Sequence, residues 1–316
     1  MRERFQIESM KAVLAGISVL VFAGATQAAP PITAAVFSPD GKSVLVGSQA
    51  GIKILAYPSL GLQRKIATQL AHVHDLVFSP DGKRFAAGGG SPAETGEVEL
   101  FSWPKCESIK LHRWHDDLVY RLAWRGRPNL LAVASGDRSV VLFSGQQQRL
   151  KGHSRPVTSV GFLPGGDYLV SAGWDNSLRL WDLKTGKLRR TMDNHTGPVH
   201  DLAVRPVREG LPLVATASAD RTVRFWQPTI GRMVRFARFP AEPLAIDWTP
   251  NGQRLLAACA DNLVRVIDPQ TVKVTARIPT VVSRPITVLA TPDGRNIIVG
   301  GSDGKVNRIP LHPPDP

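Results

Sequence analysis

A proline-centred turn recurs along this chain at an interval that restricts the fold more than any other feature. It reads Ser38-Pro39-Asp40-Gly41, Ser79-Pro80-Asp81-Gly82, Leu163-Pro164-Gly165-Gly166, Arg205-Pro206, Thr249-Pro250-Asn251-Gly252 and Thr291-Pro292-Asp293-Gly294. Successive prolines lie 41, 84, 42, 44 and 42 residues apart. The double interval holds one more unit, whose turn at Arg125-Gly126-Arg127-Pro128 has lost the proline at that place. Seven copies of one module result. A period in this range belongs to repeat architectures, in which one unit cannot bury its own faces and neighbours must cover it.

Each unit opens with a strand ending in an apolar or aromatic residue: Phe37, Phe78, Trp124, Phe162, Val204, Trp248 or Leu289. The Pro-Asp-Gly turn follows, since proline presets φ for the first turn position and glycine accepts the reversed backbone after it. A small-residue apolar strand comes next, as in Leu130 to Ser135. The third strand then alternates, with Leu178 and Leu180 flanking Arg179, and Val223 and Phe225 flanking Arg224. Period-2 alternation with frequent turns is an all-β pattern, and after residue 30 no stretch carries a 3.6-residue apolar period. Arg232, Arg235 and Arg238 fall where an outer fourth strand belongs and read as a solvated edge.

The best-preserved unit runs from Lys151 to Thr185, KGHSRPVTSVGFLPGGDYLVSAGWDNSLRLWDLKT. Its Gly-His opening and Trp181-Asp182 ending resemble the WD-repeat family. That resemblance implies a seven-bladed β-propeller of four-stranded antiparallel blades, one domain over residues 29–316. It further implies a structural hydrogen-bonded chain in each well-kept blade. The roles fall on His153, Ser171, Asp175 and Trp181 in unit four and on His195, Thr216, Asp220 and Trp226 in unit five. Unit three keeps His115 and Asp137 but has Val133 and Phe143 in the other two places, and the outer units depart further. A His-Ser-Asp grouping also suits a hydrolase triad, but recurrence of the whole set in two units favours the structural role. No catalytic residue is assigned. In the family the N-terminus commonly lends the last blade its outer strand. Ala29-Pro30-Pro31-Ile32 is too short and proline-rich for that, so blade seven is expected to have three strands, its edge blunted by the proline-rich tail or completed by a partner's strand.

Residues 10–28 carry Lys11, an apolar run from Ala12 to Ala25, and small residues at Ala23, Ala25 and Ala28. This is the layout of a cleaved signal peptide over residues 1–28, with Met10 a more natural start than Met1. The run is short for a transmembrane anchor, which takes about 20 apolar residues. Cys106 and Cys259 fall in the second and sixth units, blades apart in a ring, and are expected to be free thiols. An exported chain without a disulfide points to a bacterial periplasm. The net charge is +13. For an exported monomer that favours an acidic protein partner over nucleic acid.

His74-Asp75 and His200-Asp201 share one register of the innermost strand, in blades that face each other across the axis. They are the candidate site for a ligand or metal at the channel mouth. The glycine-rich stretch Gly88 to Gly96 is the longest insertion between second and third strands and marks a candidate binding face. The chain has no Cys-X-X-Cys-His haem motif, no phosphate-binding Gly-X-X-X-X-Gly-Lys loop and no Gly-X-Ser-X-Gly elbow. The expected function is a non-catalytic interaction scaffold without a cofactor. Units two and three also resemble bacterial exported propellers that accompany c-type cytochromes, which implies a redox protein as partner. The alternatives are a ligand-binding or enzymatic channel and, should the N-terminus stay uncleaved, a cytoplasmic scaffold.

Overall fold

The computed structural model describes residues 28–127, 129–207 and 210–311. Blade one comprises β1 (Ala34–Phe37), β2 (Ser43–Ser48), β3 (Gly51–Ala56) and β4 (Leu62–Ile66), and blade two β5 (Val73–Phe78), β6 (Arg84–Ser91), β7 (Thr95–Ser102) and β8 (Ser108–His115). Blade three holds β9 (Val119–Arg125), β10 (Leu130–Ser135), β11 (Ser139–Phe143) and β12 (Gln147–Lys151). Blade four holds β13 (Val157–Phe162), β14 (Tyr168–Gly173), β15 (Leu178–Asp182) and β16 (Lys187–Met192). Blade five has β17 (Val199–Val204), β18 (Val214–Ser218), β19 (Thr222–Gln227) and β20 (Arg232–Arg238), and blade six β21 (Pro243–Trp248), β22 (Leu255–Cys259), β23 (Leu263–Ile267) and β24 (Val274–Pro279). Blade seven has three strands, β25 (Pro285–Ala290), β26 (Asn296–Gly301) and β27 (Val306–Pro310). Each blade is an antiparallel meander with its first strand innermost, and one short 3-10 turn, Pro228–Ile230, is the only helical element among the described residues.

The core is not a single mass. Seven apolar clusters fill the seven gaps between blades, for example Val170, Leu180 and Trp226 between blades four and five, and Ala132, Leu142 and Trp181 between three and four. This follows from the sequence pattern: second strands such as β18 and β22 carry small or apolar residues on both faces, are buried along their whole length and so pack against two neighbours at once. The seventh gap is closed by Ile32, Val44 and Val46 against Ile298. Ile32 N–H also donates to the Gly301 carbonyl at 3.0 Å. The N-terminal segment therefore seals the ring at the end of β26 and leaves the outer edge of β27 without a strand partner among the described residues.

The first strand of blades two to seven carries a one-residue irregularity near its start, as between Val73 and Asp75 or Val199 and Asp201. It presses a carbonyl against the end of the second strand, so a Cβ on Gly89 would lie 1.7 Å from the His72 oxygen and one on Gly173 2.3 Å from the Pro156 oxygen. The stretch Gly88 to Gly96 corrects the expectation of a loop. Gly90 pairs with Gly96 and Ser91 with Thr95, so the insertion lengthens β6 and β7 into a projecting hairpin. Backbone pairing needs no side chains, and glycine removes the clash that would otherwise end the ladder. Cys106 and Cys259 are both free and buried, and burial pushes the Cys259 thiol up to about 11.

The expected signal peptide lies almost wholly in residues 1–27, outside the described residues, as does most of the proline-rich tail. No described helix is long and apolar enough to cross a membrane.

Candidate functional site

In blade four, His153 Nδ1 lies 2.9 Å from Asp175 Oδ2 and its Nε2 lies 2.8 Å from Ser171 Oγ. Trp181 Nε1–H donates to the same Oγ at 2.8 Å. Blade five repeats this with His195 to Asp220 at 2.7 Å, His195 to Thr216 at 2.7 Å and Trp226 to Thr216 at 2.8 Å. One polarity satisfies every group: indole N–H to hydroxyl oxygen, hydroxyl O–H to Nε2, and Nδ1–H to carboxylate. Burial lowers the affinity of both histidines for a proton, partly offset by the facing carboxylates, which keeps the rings neutral as the chain requires. Burial alone would raise Asp175 and Asp220. The bonds from His153 and Ser177, and from His195 and Thr222, outweigh it and hold both carboxyls well below the usual range. Every acceptor is engaged and no hydroxyl faces an open cleft, so the geometry joins the inner loop, second strand, turn and third strand of one blade.

Blade three brings together only half of the set. His115 Nδ1 meets Asp137 at 2.8 Å, while its buried Nε2 has no hydrogen-bond partner, because Val133 and Phe143 stand where the hydroxyl and indole would be. Arg149 enters instead, bonding Asp137 at 2.7 Å, Ser139 Oγ at 2.8 Å and the Trp114 carbonyl.

The inner strands of all seven blades line a central cavity of about 410 Å³. His74, Asp75, His200 and Asp201 all reach it, but the two residue types have different surroundings. Asp75 Oδ2 accepts the Leu122 N–H of blade three at 2.7 Å, and Asp201 Oδ2 accepts the Ile246 N–H of blade six at 3.0 Å. Asp247 does the same for Ala290 of blade seven at 2.8 Å. These carboxylates clasp neighbouring blades at the axis. Arg121 lies among them, with Nη2 3.1 Å from Asp201 and Nε 4.0 Å from Asp75. The cation between the two predicted aspartates is thus the protein's own guanidinium, and no group of three or more metal-ligating side chains converges among the described residues. Burial pushes Asp75 and Asp247 up to about 6, against the pull of Arg121 and the backbone N–H groups.

The histidines stand at the mouth. His74 is the inner-strand residue displaced by the irregularity, and Tyr120 and His200 are its counterparts in blades three and five. A row of rings runs along this rim: His72 to His74 at 6.2 Å, His74 to Tyr120 at 5.7 Å and Tyr120 to Trp174 at 6.0 Å between centroids. Trp174 is 40 % exposed, the only tryptophan among the large hydrophobics that face solvent in the described residues. The β6–β7 hairpin adjoins the same face, where the Ala93 N–H donates to Asp117 Oδ1 at 2.8 Å. Sequence reasoning missed Arg121 and the aromatic row. Their signal was register: Tyr120-Arg121-Leu122 aligns with His74-Asp75-Leu76 and His200-Asp201-Leu202.

A ring of seven meandering blades, two of them held by His-Asp-hydroxyl-Trp chains, defines a seven-bladed β-propeller. Residues 63–91, 145–182, 186–227 and 240–268 match the WD40 family, "WD domain, G-beta repeat". The stretch 145–182 begins beside the outer strand of blade three and ends in the third strand of blade four, so the sequence repeat is offset from the blade and ties two together. The chain is similar to an anaphase-promoting complex subunit cdc20 of Dictyostelium discoideum, 24% identical over 76% of this chain and 49% of that protein. It is 25% identical to an actin-interacting protein 1 of Drosophila melanogaster over 89% of this chain and 48% of the relative. A eukaryotic translation initiation factor 3 subunit I of Pyricularia oryzae is 32% identical over 34% of this chain and 30% of its own length. The chain spans about half the length of the first two.

Proposed function

We propose that this propeller is a non-catalytic scaffold that seats an acidic protein on the channel-mouth face, exported to a bacterial periplasm and serving a redox protein there. The observation that carries the binding face is the row of rings from His72 to the exposed Trp174. Aromatic side chains offer large contact area at small entropic cost and dominate the energetics of protein interfaces. Relatives named as a complex subunit and as an actin-interacting protein support a scaffold role. The acidity of the partner is supported by the net charge of +13, while the hollow beside the β6–β7 hairpin on this face sets Arg138 and Arg155 among Asp116, Asp117 and Asp137. Arg138 and its counterpart Arg221 adopt left-handed φ of 72° and 63°, where the equivalent turns have Asn176 and Asn262. Holding arginine in that region is costly for folding alone, which favours a role in contact. Export rests on the layout of residues 10–28 and the redox partner on the resemblance of units two and three.

The test is affinity capture from a bacterial envelope fraction with the full chain and with Trp174→Ala, washed at low and high salt. The reading expects an acidic protein held by the wild type at low salt, released by high salt and lost in the variant. An unchanged set of captured proteins in the variant contradicts it. Intact-mass measurement of the mature protein checks the export reading separately.

A further inference from the structure

The outer strands of the propeller carry charge of one sign. β4 (LQRKI), β12 (QQRLK), β16 (KLRRTM) and β20 (RMVRFAR) contain lysine and arginine and no acidic residue. The same holds for β8, β24 and β27. Charge on an exposed strand edge deters edge-to-edge aggregation, but either sign, or a mixture, would serve that purpose. A uniform sign calls for a second reason.

The arc formed by blades four and five differs from the rest of the rim. Lys187, Arg189 and Arg190 on β16 stand beside Arg232, Arg235 and Arg238 on β20, and none has a carboxylate within 4.0 Å among the described residues. Arg190 on β16 reaches the 3-10 turn that precedes β20, where its Nε–H donates to the Thr229 carbonyl at 3.3 Å. Large apolar side chains are exposed among these cations: Leu188 (40 %), Ile230 (48 %) and Phe236 (46 %). Cations interspersed with exposed leucine, isoleucine and phenylalanine match a surface that is both negative and penetrable by apolar groups. Nucleic acid would favour stacked aromatics, and the arc offers one phenylalanine. Leu62 and Ile109 are also exposed on the outer strands of blades one and two. Those strands, β4 and β8, carry only Arg64, Lys65, Lys110 and Arg113 as lysine or arginine, the last paired with Glu97 at 2.6 Å. The denser unpaired charge therefore lies on the blade four and five arc.

We propose that the blade four and five arc is a peripheral docking surface for a bilayer containing anionic phospholipid, with Lys187, Arg189, Arg190, Arg232, Arg235 and Arg238 facing headgroups and Leu188, Ile230 and Phe236 reaching the acyl boundary. This surface lies on the rim and is independent of the channel-mouth reading.

The full chain is labelled with an environment-sensitive fluorophore at Leu188→Cys, or at Leu62→Cys on the opposite arc, where blade one also exposes an apolar side chain beside Arg64 and Lys65. Cys106 and Cys259 are buried and do not compete for the label. Vesicles of phosphatidylcholine, alone or mixed with phosphatidylglycerol, are then added. The proposal expects a blue shift at position 188 with the mixed vesicles only, and none at 62. Adding Arg189→Glu and Arg235→Glu should weaken the apparent vesicle affinity about tenfold or more, since each cation near an anionic surface contributes several-fold. Adding Arg64→Glu and Lys65→Glu to the 188-labelled chain should leave it within about twofold. Absence of the shift at 188, equal shifts at both positions, equal loss from the blade one charges, or a shift at 188 produced by nucleic acid or an acidic protein but not by vesicles would each overturn it.

Discussion

Blades four and three use the same residue positions in different ways. In blade four the hydrogen-bond chain runs unbroken from Trp181 through Ser171 and His153 to Asp175. In blade three it stops at His115 Nε2, with Val133 and Phe143 beyond it, and Arg149 braces Asp137 from outside. Both blades keep the His-Asp bond. That bond joins the inner loop to the turn between second and third strands, whereas the hydroxyl-indole half only adds the third strand, which apolar packing also holds. The half that varies is the one for which packing can substitute.

The largest effect should come from giving blade four the character of blade three. Ser171→Val strips Trp181 Nε1–H of its acceptor and His153 Nε2 of its donor, two buried groups left unpaired, for a loss of about 3 kcal/mol. Urea unfolding measures it, and a loss under about 1 kcal/mol would show that the chain contributes little. The reverse repair, Val133→Thr with Phe143→Trp in blade three, should gain about 1 kcal/mol, with the two changes favourably coupled in a double-mutant cycle. Additive singles would mean that the indole fails to reach the hydroxyl.

Acid should act more gently. The depressed histidines of blades four and five make the unfolded chain bind more protons below its histidine pKa of about 6.5, so their contribution is lost as pH falls through that value. Asp75 and Asp247, raised to about 6, bind protons more readily in the folded state and act oppositely between about pH 4 and 6. Asp75→Asn removes part of this compensation, so stability should fall more steeply between pH 7 and pH 5 than in the wild type. An unchanged slope would place the proton elsewhere. The smallest effect contrasts the turns of blades four and five. Arg221→Asn, placing in blade five the residue type of Asn176, should raise stability by about 0.5 kcal/mol by relieving a left-handed arginine. A fall in the unfolding midpoint would mean that Arg221 is held by contacts worth more than the strain.

The ring was legible in the sequence because each unit declares itself locally: Pro39, Pro80, Pro164, Pro206, Pro250 and Pro292 punctuate it, and strand alternation fills the gaps. The three strands of blade seven were legible for a different reason, because Ala29-Pro30-Pro31-Ile32 is too short and proline-rich to add a fourth. The hydrogen-bonded sets of blades four and five were legible only through the resemblance of those units to WD repeats, which assigns the roles to residues within one unit. What lay hidden joins different units. Arg121 reaches Asp201 across the axis, and the Trp174 ring meets Tyr120 from the neighbouring blade. No local pattern encodes such pairs, and only alignment of the inner strands position by position brings them together. The Gly88 to Gly96 stretch was obscured differently, because glycine in sequence suggests a loop while here it permits close backbone approach.

The most direct measurement of the account is nitrogen NMR of the tautomers of His115, His153 and His195, with the protonation of His153 and His195 followed across a pH titration. The account predicts that His153 and His195 stay neutral at and below pH 6.5, each with the proton on Nδ1 and an Nε2 that accepts a hydrogen bond. His115 should show the proton on Nδ1 but no hydrogen bond to Nε2. Imidazolium at pH 7 in blades four and five, or the proton on Nε2 there, would contradict the chain from indole to carboxylate on which the reading of these blades rests.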